Sequence, residues 1–475
     1  MRVPFIFLWV FFSAGLCSCK KDADDPPNIV LIIADDLGWK DVGFMGSEYY
    51  ETPNLDQLAR EGMVFMQAYA SAANCAPSRA CLMSGMYTTA HGVYTVSPSE
   101  RGDPRTRQII PAVNADSLQH RFYTLAEALH DRGYATINIG KWHLGKDPRT
   151  QGMDYNVGGS TWGHPGSYFA PYKKPDLEAP EGEYLTDRLA EEARKFIREN
   201  REHPFFLYLP FYAVHTPIQA KPSLENKYTQ KGGVDCQSNA AYAAMVDNMD
   251  RCIGMVVDQI SALDLEENTL VIFTSDNGGI RHISCQDPLR AGKGSYYEGG
   301  IRVPLVFRWP GNIAAGSRSD EAVINLDFYP TLMDLSGGSV SGLEPDGVSL
   351  WPLLSGRTRS LQKRPLYFHF PIYLQAYRAG NDGGRDPLFR TRPGSVIREG
   401  EWKLHYYYED GGVELYKLSE DPGERNNLAD INTKKSEELL SLLKVWLKGE
   451  NVPVEFEKNP EFDPGYELLK ISEID

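Results

Sequence analysis

The sequence predicts an α/β fold built on a large, mixed but mostly parallel β-sheet, followed by a smaller C-terminal subdomain. Two observations carry this prediction. Short runs of almost only aliphatic and β-branched residues, such as Asn28–Ala34 and Thr269–Ser275, are typical of strands buried on both faces. Segments with helical periodicity, such as 186–200 and 240–263, alternate with these runs.

The chain after residue 355 has a different pattern. It contains four short stretches typical of antiparallel strands, at 366–370, 395–398, 402–408 and 412–417. One amphipathic helix is expected at about 434–448. We therefore divide the chain into a main domain at 28–355 and a C-terminal subdomain at 356–475.

The N-terminus has the features of an export signal. Arg2 precedes an apolar run at 4–16 that is too short for a spanning helix, and the run ends in Leu16-Cys17-Ser18-Cys19. This pattern predicts a bacterial lipoprotein signal peptide at 1–18, a lipid on Cys19 as the only membrane attachment, and a tether at 19–27. The expected location is the periplasm or outer membrane of a Gram-negative bacterium. An ordinary secretory signal and an uncleaved anchor are the alternatives.

The overall charge excludes one class of partner. The 475 residues carry a formal net charge of −15, whereas non-specific nucleic-acid binding needs a basic surface. We therefore expect no nucleic-acid partner.

Two pairs of oxygen-bearing side chains follow buried strands. Asp35-Asp36 comes directly after the run at 28–34, and Asp276-Asn277 follows the run at 269–275. Ligands of open α/β sheets bind beyond the carboxyl ends of the strands, and adjacent carboxylates repel each other unless a cation lies between them. Together the two pairs predict a site for Ca²⁺ or Mg²⁺. The alternative for either pair alone is a solvated turn.

The segment around Cys75 is predicted to be a loop that runs into a helix. Pro77 suits the first helical turn, and Ser78 is expected to cap that turn through its hydroxyl. Arg79 lies one turn further along, where it could face Cys75. A thiol, a cation and a helix start together indicate an anion site with a reactive atom. The alternative is an inert, buried cysteine.

The motif Cys75-x-Pro77-Ser78-Arg79-x-x-Leu-x-x-Gly resembles the signature of the formylglycine-dependent sulfatases of the alkaline-phosphatase-like superfamily, although Thr is common where this chain has Ser84. The resemblance implies a sheet enclosed by helices. It also implies that a maturation enzyme oxidises Cys75 to formylglycine (3-oxoalanine), whose hydrated aldehyde attacks sulfur.

Three further segments resemble the same family: Gly-Lys141-Trp-His143, His215-Thr-Pro and Gly-Lys293-Gly. They imply that Lys141 and Lys293 bind sulfate, that His143 lies beside the formylglycine, and that His215 faces the leaving group. Strand alternation predicts that Lys141 and His143 point the same way. The metal, usually Ca²⁺ and alternatively Mg²⁺, would be held by Asp35, Asp36, converted Cys75, Asp276 and Asn277.

An acidic protein that acts on an anion needs a local positive field. Arg79, Lys141 and Lys293 with the metal would supply it.

The expected substrate is a sulfated glycan. The segment 96–111 and the Gly- and aromatic-rich loop at 158–172 resemble members that act on sulfated galactose or N-acetylgalactosamine, with exo action. Five residues are expected to contact the sugar: His91, Trp162, His164, His369 and Arg378.

Two other functions remain open at this stage. One is a phosphodiesterase or phosphonate hydrolase of the same superfamily, and the other is an inactive, glycan-binding lipoprotein. The pairing of Cys81, Cys236, Cys252 and Cys285 also stays open, with Cys252 expected in the core of a helix.

Overall fold

The computed structural model describes residues 26–338 and 344–474. The predicted signal peptide, Cys19 and most of the tether therefore lie outside the described residues. Within the described ranges, no helix is both long and apolar enough to span a membrane.

A nine-stranded sheet forms the centre of the molecule, with strand order β4-β3-β5-β1-β6-β8-β2-β7 and with β9 paired to β2. Five of its neighbouring pairs are parallel and three are antiparallel. Its strands are β1 (Asn28–Ala34), β2 (Met63–Tyr69), β3 (Ala135–Ile139), β4 (Tyr155–Val157), β5 (Phe205–Pro210), β6 (Thr269–Ser275), β7 (Arg302–Val303), β8 (Leu305–Arg308) and β9 (Ser317–Ile324). The predicted mixed, mostly parallel sheet is confirmed.

Ten α-helices precede the C-terminal sheet in the described residues. They are α1 (Pro53–Glu61), α2 (Cys75–Ser84), α3 (Thr88–His91), α4 (Leu125–His130), α5 (Leu185–Glu199), α6 (Pro222–Lys231), α7 (Ala240–Ser261), α8 (Glu298–Ile301), α9 (Phe328–Leu335) and α10 (Trp351–Leu354).

Helices cover both faces of this sheet, as β1 shows. Val30 and Ile32 belong to a core that includes residues of α1, α5 and α7. Ile29 and Leu31 belong to a second core that includes residues of α2, α4 and α9. Alternate residues of one strand thus enter two different cores, which explains why the run is apolar throughout.

The register of the central strands positions the acidic pairs. β1 pairs in parallel with β6, and Ala34 lies opposite Ser275. Both strands therefore end at the same level, and the residues that follow them emerge side by side at the carboxyl edge of the sheet.

The C-terminal sheet is antiparallel, with strand order β10-β13-β14-β15, and a two-stranded hairpin, β11–β12, lies beside it. Leu439, Leu443 and Leu447 of the predicted helix pack against this sheet. The elements are β10 (Leu366–Phe370), β11 (Leu374–Gln375), β12 (Phe389–Thr391), β13 (Gly394–Glu399), β14 (Trp402–Tyr407), β15 (Val413–Lys417) and α11 (Thr433–Gly449).

The structure adds the hairpin and one more helix, α12 (Pro464–Ser472), to the prediction. The proposed division at 355/356 falls between α10 and β10.

One disulfide joins Cys236 to Cys285. Cys75, Cys81 and Cys252 are free and buried, and Cys252 lies in α7 as expected for a core residue. The disulfide ties the loop after α6 to the loop that follows Asp276-Asn277.

Candidate active site

Cys75 is the first residue of α2, directly after the extended Asn74. Its side chain is 1% exposed, and its Sγ lies 3.8 Å from Oδ1 of Asp36. The sequence suggested that Ser78 caps this helix through its hydroxyl, but it does not. Its hydroxyl accepts a hydrogen bond from Nδ2 of Asn325 at 2.9 Å instead, which ties α2 to the turn before α9.

The two acidic pairs meet beside Cys75. The backbone N–H of Asp36 donates to Oδ1 of Asp276 at 3.2 Å, and Nδ2 of Asn277 donates to Oδ1 of Asp36 at 2.9 Å. Ligand atoms of Asp35, Asp36, Cys75 and His215 all lie within 4.8 Å of one another. The prediction that distant strand ends would bring these side chains together agrees with this geometry.

Each cation of the cluster is paired with one carboxylate. Lys141 Nζ lies 2.7 Å from Oδ2 of Asp35, and Lys293 Nζ lies 2.7 Å from Oδ2 of Asp36. Arg79 Nη2 lies 2.7 Å from Oδ2 of Asp276. The carboxylate partner of Arg79 is thus Asp276, and its guanidinium also interacts electrostatically with Cys75. All three pairs are buried, so their mutual attraction is poorly screened.

Burial and charge act against each other on these groups. Burial raises the pKa of the Cys75 thiol to about 12, with Lys141 and Lys293 acting in the opposite direction. Burial also opposes ionisation of Asp36, but Lys293 and His215 outweigh it and hold the Asp36 pKa below its usual value. The charge of Asp36 in turn raises the pKa of Lys293, although burial acts to lower it.

His143 and His215 both reach the cluster, but not through strand alternation. β3 ends at Ile139, so Lys141 and His143 lie in the following loop, and His143 has a left-handed backbone with φ of 64°. The predicted strand alternation therefore does not apply to Lys141 and His143, and this prediction was wrong. Burial lowers the pKa of His143, with Lys141 adding to the effect.

His215 carries its proton on Nδ1, because that nitrogen lies 2.7 Å from the carbonyl oxygen of Thr216, which can only accept. Nε2 is then the free nitrogen, 3.5 Å from Oδ2 of Asp36. Burial lowers the His215 pKa to about 3, and Lys293 contributes to this shift. The imidazole is therefore neutral at pH 7.

The site has the properties expected of a divalent-cation site. Oδ1 of Asp35 and Oδ1 of Asn277 are buried and have no hydrogen-bond partner among the described residues. Burial raises the Asp35 pKa to about 8 against the pull of Lys141. Unsatisfied, buried carboxylate and amide oxygens are the donors that Ca²⁺ and Mg²⁺ prefer, so the residues present fit such an ion.

Two of the five predicted sugar contacts lie at the rim of the cluster. The His164 ring stacks on His215 with centroids 6.1 Å apart and an angle of 12° between the planes. Trp162 is 42% exposed, and Lys174 Nζ lies 3.9 Å from the centroid of its ring. Arg378, the third, is exposed on the segment that follows β11.

The predictions for His91 and His369 were wrong, because both side chains are buried within the protein. His91 Nε2 contacts Sγ of Cys81 at 3.4 Å, and its Nδ1 accepts from the N–H of Val93. His369 Nδ1 contacts the hydroxyls of Ser395 and Tyr408 at 2.9 and 3.0 Å.

A substitution of His91 distinguishes a structural role of this side chain from a role in substrate binding. We expect His91→Gln to lower the free energy of unfolding by about 1–3 kcal/mol, because it disturbs buried hydrogen bonds at the C-terminal half of α2. Selectivity among sulfated sugars should stay the same. Urea unfolding and relative kcat/KM values on a sugar panel measure both effects. A change in selectivity without a loss of stability would restore the substrate role of His91.

Sequence reasoning missed Asp41, which holds the loop after β1. Its carboxylate accepts from Gly38 N–H at 2.9 Å, from Tyr242 hydroxyl at 2.7 Å and from Gln286 Nε2 at 3.2 Å. It thereby joins the loop of Asp35-Asp36 to the disulfide-bonded loop of Cys285. In sequence Asp41 is an ordinary loop acid, and only its distant partners reveal the role.

Comparison with known proteins identifies both parts of the chain. The sequence model of the Sulfatase family matches residues 27–338. The model described as N-sulphoglucosamine sulphohydrolase, C-terminal, matches residues 292–451.

Individual relatives agree along nearly the whole chain. A sulfatase from Formosa agariphila is 35% identical, over 91% of this chain and 91% of that protein. An N-acetylgalactosamine-6-sulfatase from Sus scrofa is 30% identical, over 96% of this chain and 86% of that protein. The crystal structure of Ps i-CgsB in complex with k-i-k-neocarrahexaose has a TM-score of 0.74 and 30% identity, over 94% of this chain and 98% of that one.

Proposed function

Because this chain belongs to the sulfatase family, we propose that Cys75 is converted to formylglycine and that the enzyme removes sulfate from a sulfated glycan. The observation that carries the proposal is the convergence of Cys75, Asp35, Asp36 and His215 ligand atoms within 4.8 Å. Lys141 and Lys293 lie in direct contact with the same carboxylates.

The residues divide into groups with different tasks. Asp35, Asp36, Asp276, Asn277 and converted Cys75 would hold a divalent cation, Ca²⁺ or alternatively Mg²⁺. The cation and the formylglycine would supply charge stabilisation at the ester oxygens and an aldehyde-hydrate nucleophile.

Two basic residues act on the substrate, and a third holds a ligand of the cation. Lys141 and Lys293 bind the non-bridging oxygens of the sulfate. Arg79 holds Asp276 in place through two short contacts.

The two histidines move protons. His215 directs Nε2 toward the cluster, where this nitrogen takes up a proton when the anionic ester binds and gives it to the leaving oxygen as the S–O bond breaks. Lys293, kept charged by Asp36, assists at the same oxygen. His143, partly buried and two residues from Lys141, serves as the base on the nucleophile side.

The glycan part of the proposal draws on relatives and on the rim. One relative is an N-acetylgalactosamine-6-sulfatase, and the structure of another was solved with k-i-k-neocarrahexaose. The exposed ring of Trp162 and the His164 ring above His215 offer faces for a sugar. A sulfated galactose or N-acetylgalactosamine at a chain end is the substrate we propose.

Export and maturation are linked to the burial of Cys75. The side chain is 1% exposed in the folded protein, so the maturation enzyme must act on the chain before it folds. We propose export as a lipoprotein through Cys19, and the Cys236–Cys285 disulfide suits an oxidising compartment. Retention of a Cys19→Ser variant in the membrane fraction would contradict the lipid anchor.

Two measurements on the full-length protein test the proposed function. The protein is produced with a sulfatase-maturation enzyme, and the mass of the peptide spanning Cys75 reports conversion. Rates on 4-nitrophenyl sulfate, on sulfated galactose and on 4-nitrophenyl phosphate then report the ester preferred. A strong phosphate preference would favour a phosphodiesterase or phosphonate hydrolase. An unmodified thiol without turnover would favour a glycan-binding protein.

Removing the metal should abolish most of the activity. We expect chelation with EDTA to lower kcat by about 100-fold or more, because the cation contributes several kcal/mol of charge stabilisation. The melting temperature should also fall by about a few degrees, because the ion binds only the folded state. Added Ca²⁺ should restore both, and Mg²⁺ is the comparison ion. An enzyme that keeps its full rate after exhaustive chelation would contradict the metal assignment.

A further inference from the structure

A second group of cations lies beside the candidate active site, where hairpin β11–β12 meets the loop of Lys293. It consists of Arg101, Arg378 and Arg390 together with the rings of His282 and Tyr377, and we call it the arginine rim. The Cζ atom of Arg390 lies 3.6 Å from the centroid of the Tyr377 ring. The ring of His282 packs edge-on against Tyr377, with centroids 5.8 Å apart.

The arginine rim is joined directly to the sulfate-binding lysine. Arg390 Nη1 donates to the carbonyl oxygen of Lys293 at 3.2 Å, and its Nε donates to that of Gln375 at 2.9 Å. Gly294 allows this approach, since a Cβ there would lie 2.6 Å from Nη1 of Arg390. Any ligand on the lysine side of the cleft therefore lies close to the arginine rim.

Arg101 lies in a segment that pairs with the residue before the hairpin, through a bridge between Glu100 and Tyr373. Its backbone N–H donates to the carbonyl oxygen of Tyr373, which precedes β11. Its guanidinium interacts electrostatically with Arg390, Tyr377 and Cys75, and burial together with Arg390 lowers its pKa. Arg101 thus acts electrostatically both on the other members of the arginine rim and on the candidate nucleophile.

These arginines differ from their neighbours in having no acidic partner among the residues that the structure describes. Arg101 Nη2 donates to the carbonyl oxygens of Val96 and Ser97. In the described part of the chain, neither Arg101 nor Arg390 forms an ion pair. By contrast, Arg392 pairs with Glu409 and Glu467.

One acid of this region, Asp382, does not balance the charge of the three arginines. It acts electrostatically on His282 together with Arg378 and Arg390, and its carboxylate accepts a hydrogen bond from the N–H of Tyr377. Arg79, Lys141 and Lys293 each form an ion pair with a carboxylate, whereas the arginines of the arginine rim form none with the residues that the structure describes. In a chain of net charge −15, this leaves a local excess of positive charge beside the cleft.

We propose that the arginine rim binds a second anionic group of the glycan, a sulfate ester or carboxylate other than the ester that is cleaved. Guanidinium groups match both anions through paired N–H donors, and partial burial strengthens such bonds. The substrate class is then a polyanionic glycan rather than one with an isolated sulfate. This inference rests on the proposed function for the identity of the cleaved group.

Binding and turnover are measured separately to test the inference. Full-length Cys75→Ala protein, which cannot turn over, is titrated calorimetrically with three galactose-containing disaccharides. One carries a single sulfate, the second carries two sulfates, and the third carries one sulfate and one uronic carboxylate. Arg101→Gln and Arg378→Gln are compared in the same background. Arg105→Gln is the matched control, because Arg105 lies in the same loop but is paired with Asp103.

We expect the disulfated or the uronic probe to bind at least about tenfold more tightly than the monosulfated one, the effect of one charged hydrogen bond. Arg101→Gln should remove most of this preference, and Arg378→Gln should reduce it. Arg105→Gln should leave it intact. The probe that shows the preference identifies the second anion as sulfate or carboxylate.

Equal binding of all three probes, or an equal loss on all three in Arg101→Gln, would overturn the inference. Arg378 is exposed, so its variant keeps the test valid if Arg101→Gln fails to fold. Turnover by the converted wild-type enzyme is scored independently. Lack of sulfate release would refute the proposed function. The binding preference would still show whether the arginine rim binds a second anionic group.

Discussion

Cys75→Ala should lose at least about 10⁴-fold in kcat on any sulfate ester, because removal of a covalent nucleophile leaves only binding and electrostatic catalysis. The substitution also removes one proposed metal ligand. The fold should survive, because the neighbour of the thiol in the cluster is Asp36 at 3.8 Å and alanine is a good helix residue. Activity on 4-nitrophenyl sulfate and a thermal melt measure the two effects.

Cys81→Ala is the matched control for this prediction. Cys81 lies in the same helix, is also buried, and contacts His91 rather than the acidic cluster. We expect Cys81→Ala to lower stability by about 1 kcal/mol, as for other losses of a small buried side chain, and to leave kcat close to wild type. If Cys81→Ala is as inactive as Cys75→Ala, the loss reflects α2 as a whole and not the nucleophile.

Much of this site could be predicted from the sequence because its parts follow buried strands. The runs at β1 and β6 are mostly aliphatic and β-branched, so the sequence predicted two buried strands and placed the side chains that follow them at the edge of the sheet. The motif at Cys75 and the segments of Lys141, His215 and Lys293 added a family resemblance that the comparisons confirm.

The predictions failed for side chains whose contact partners lie far away in the sequence. Ser78 was assigned to its own helix, but it is bound by Asn325, 247 residues away. His91 and His369 were assigned to the cleft, but contacts to Cys81 and Ser395 hold them inside the protein. Short-range patterns contain no information on which of several polar groups a buried side chain meets. Arg378 was among the predicted sugar contacts, but its grouping with Arg101 and Arg390 was not predicted, because Arg101 lies far from the other two in the sequence.

A buried cluster of charges connects the C-terminal sheet to the main domain. Lys403 Nζ of β14 lies 3.0 Å from carboxylate oxygens of both Glu298 and Glu424, and His405 Nε2 lies 3.0 Å from Glu424. Glu298 opens α8, which follows the loop of Lys293. Lys403 and both acids are 0% exposed, so the ammonium is needed to keep two carboxylates charged away from water.

Lys403→Met should therefore lower the free energy of unfolding by about 3–5 kcal/mol, the usual cost of leaving a buried charge unpaired. Lys417→Met is the matched control on the adjacent strand β15. Its ammonium pairs with the exposed acids Glu401 and Glu420, and such pairs contribute about 1 kcal/mol or less. Urea unfolding of both variants measures the difference, and equal losses would contradict the role of the buried cluster.

The loss in Lys403→Met should also depend on pH. Burial and the charge of Glu298 raise the Glu424 pKa to about 7, even though Lys403 opposes the shift. A raised carboxyl pKa gives stability that is present at low pH and is lost as the pH rises through the folded-state value. Without Lys403 that value rises further, so the deficit of the variant should be smaller at pH 5.5 than at pH 8. Adding Glu424→Gln to Lys403→Met should flatten this dependence, because the carboxyl group that titrates is then gone.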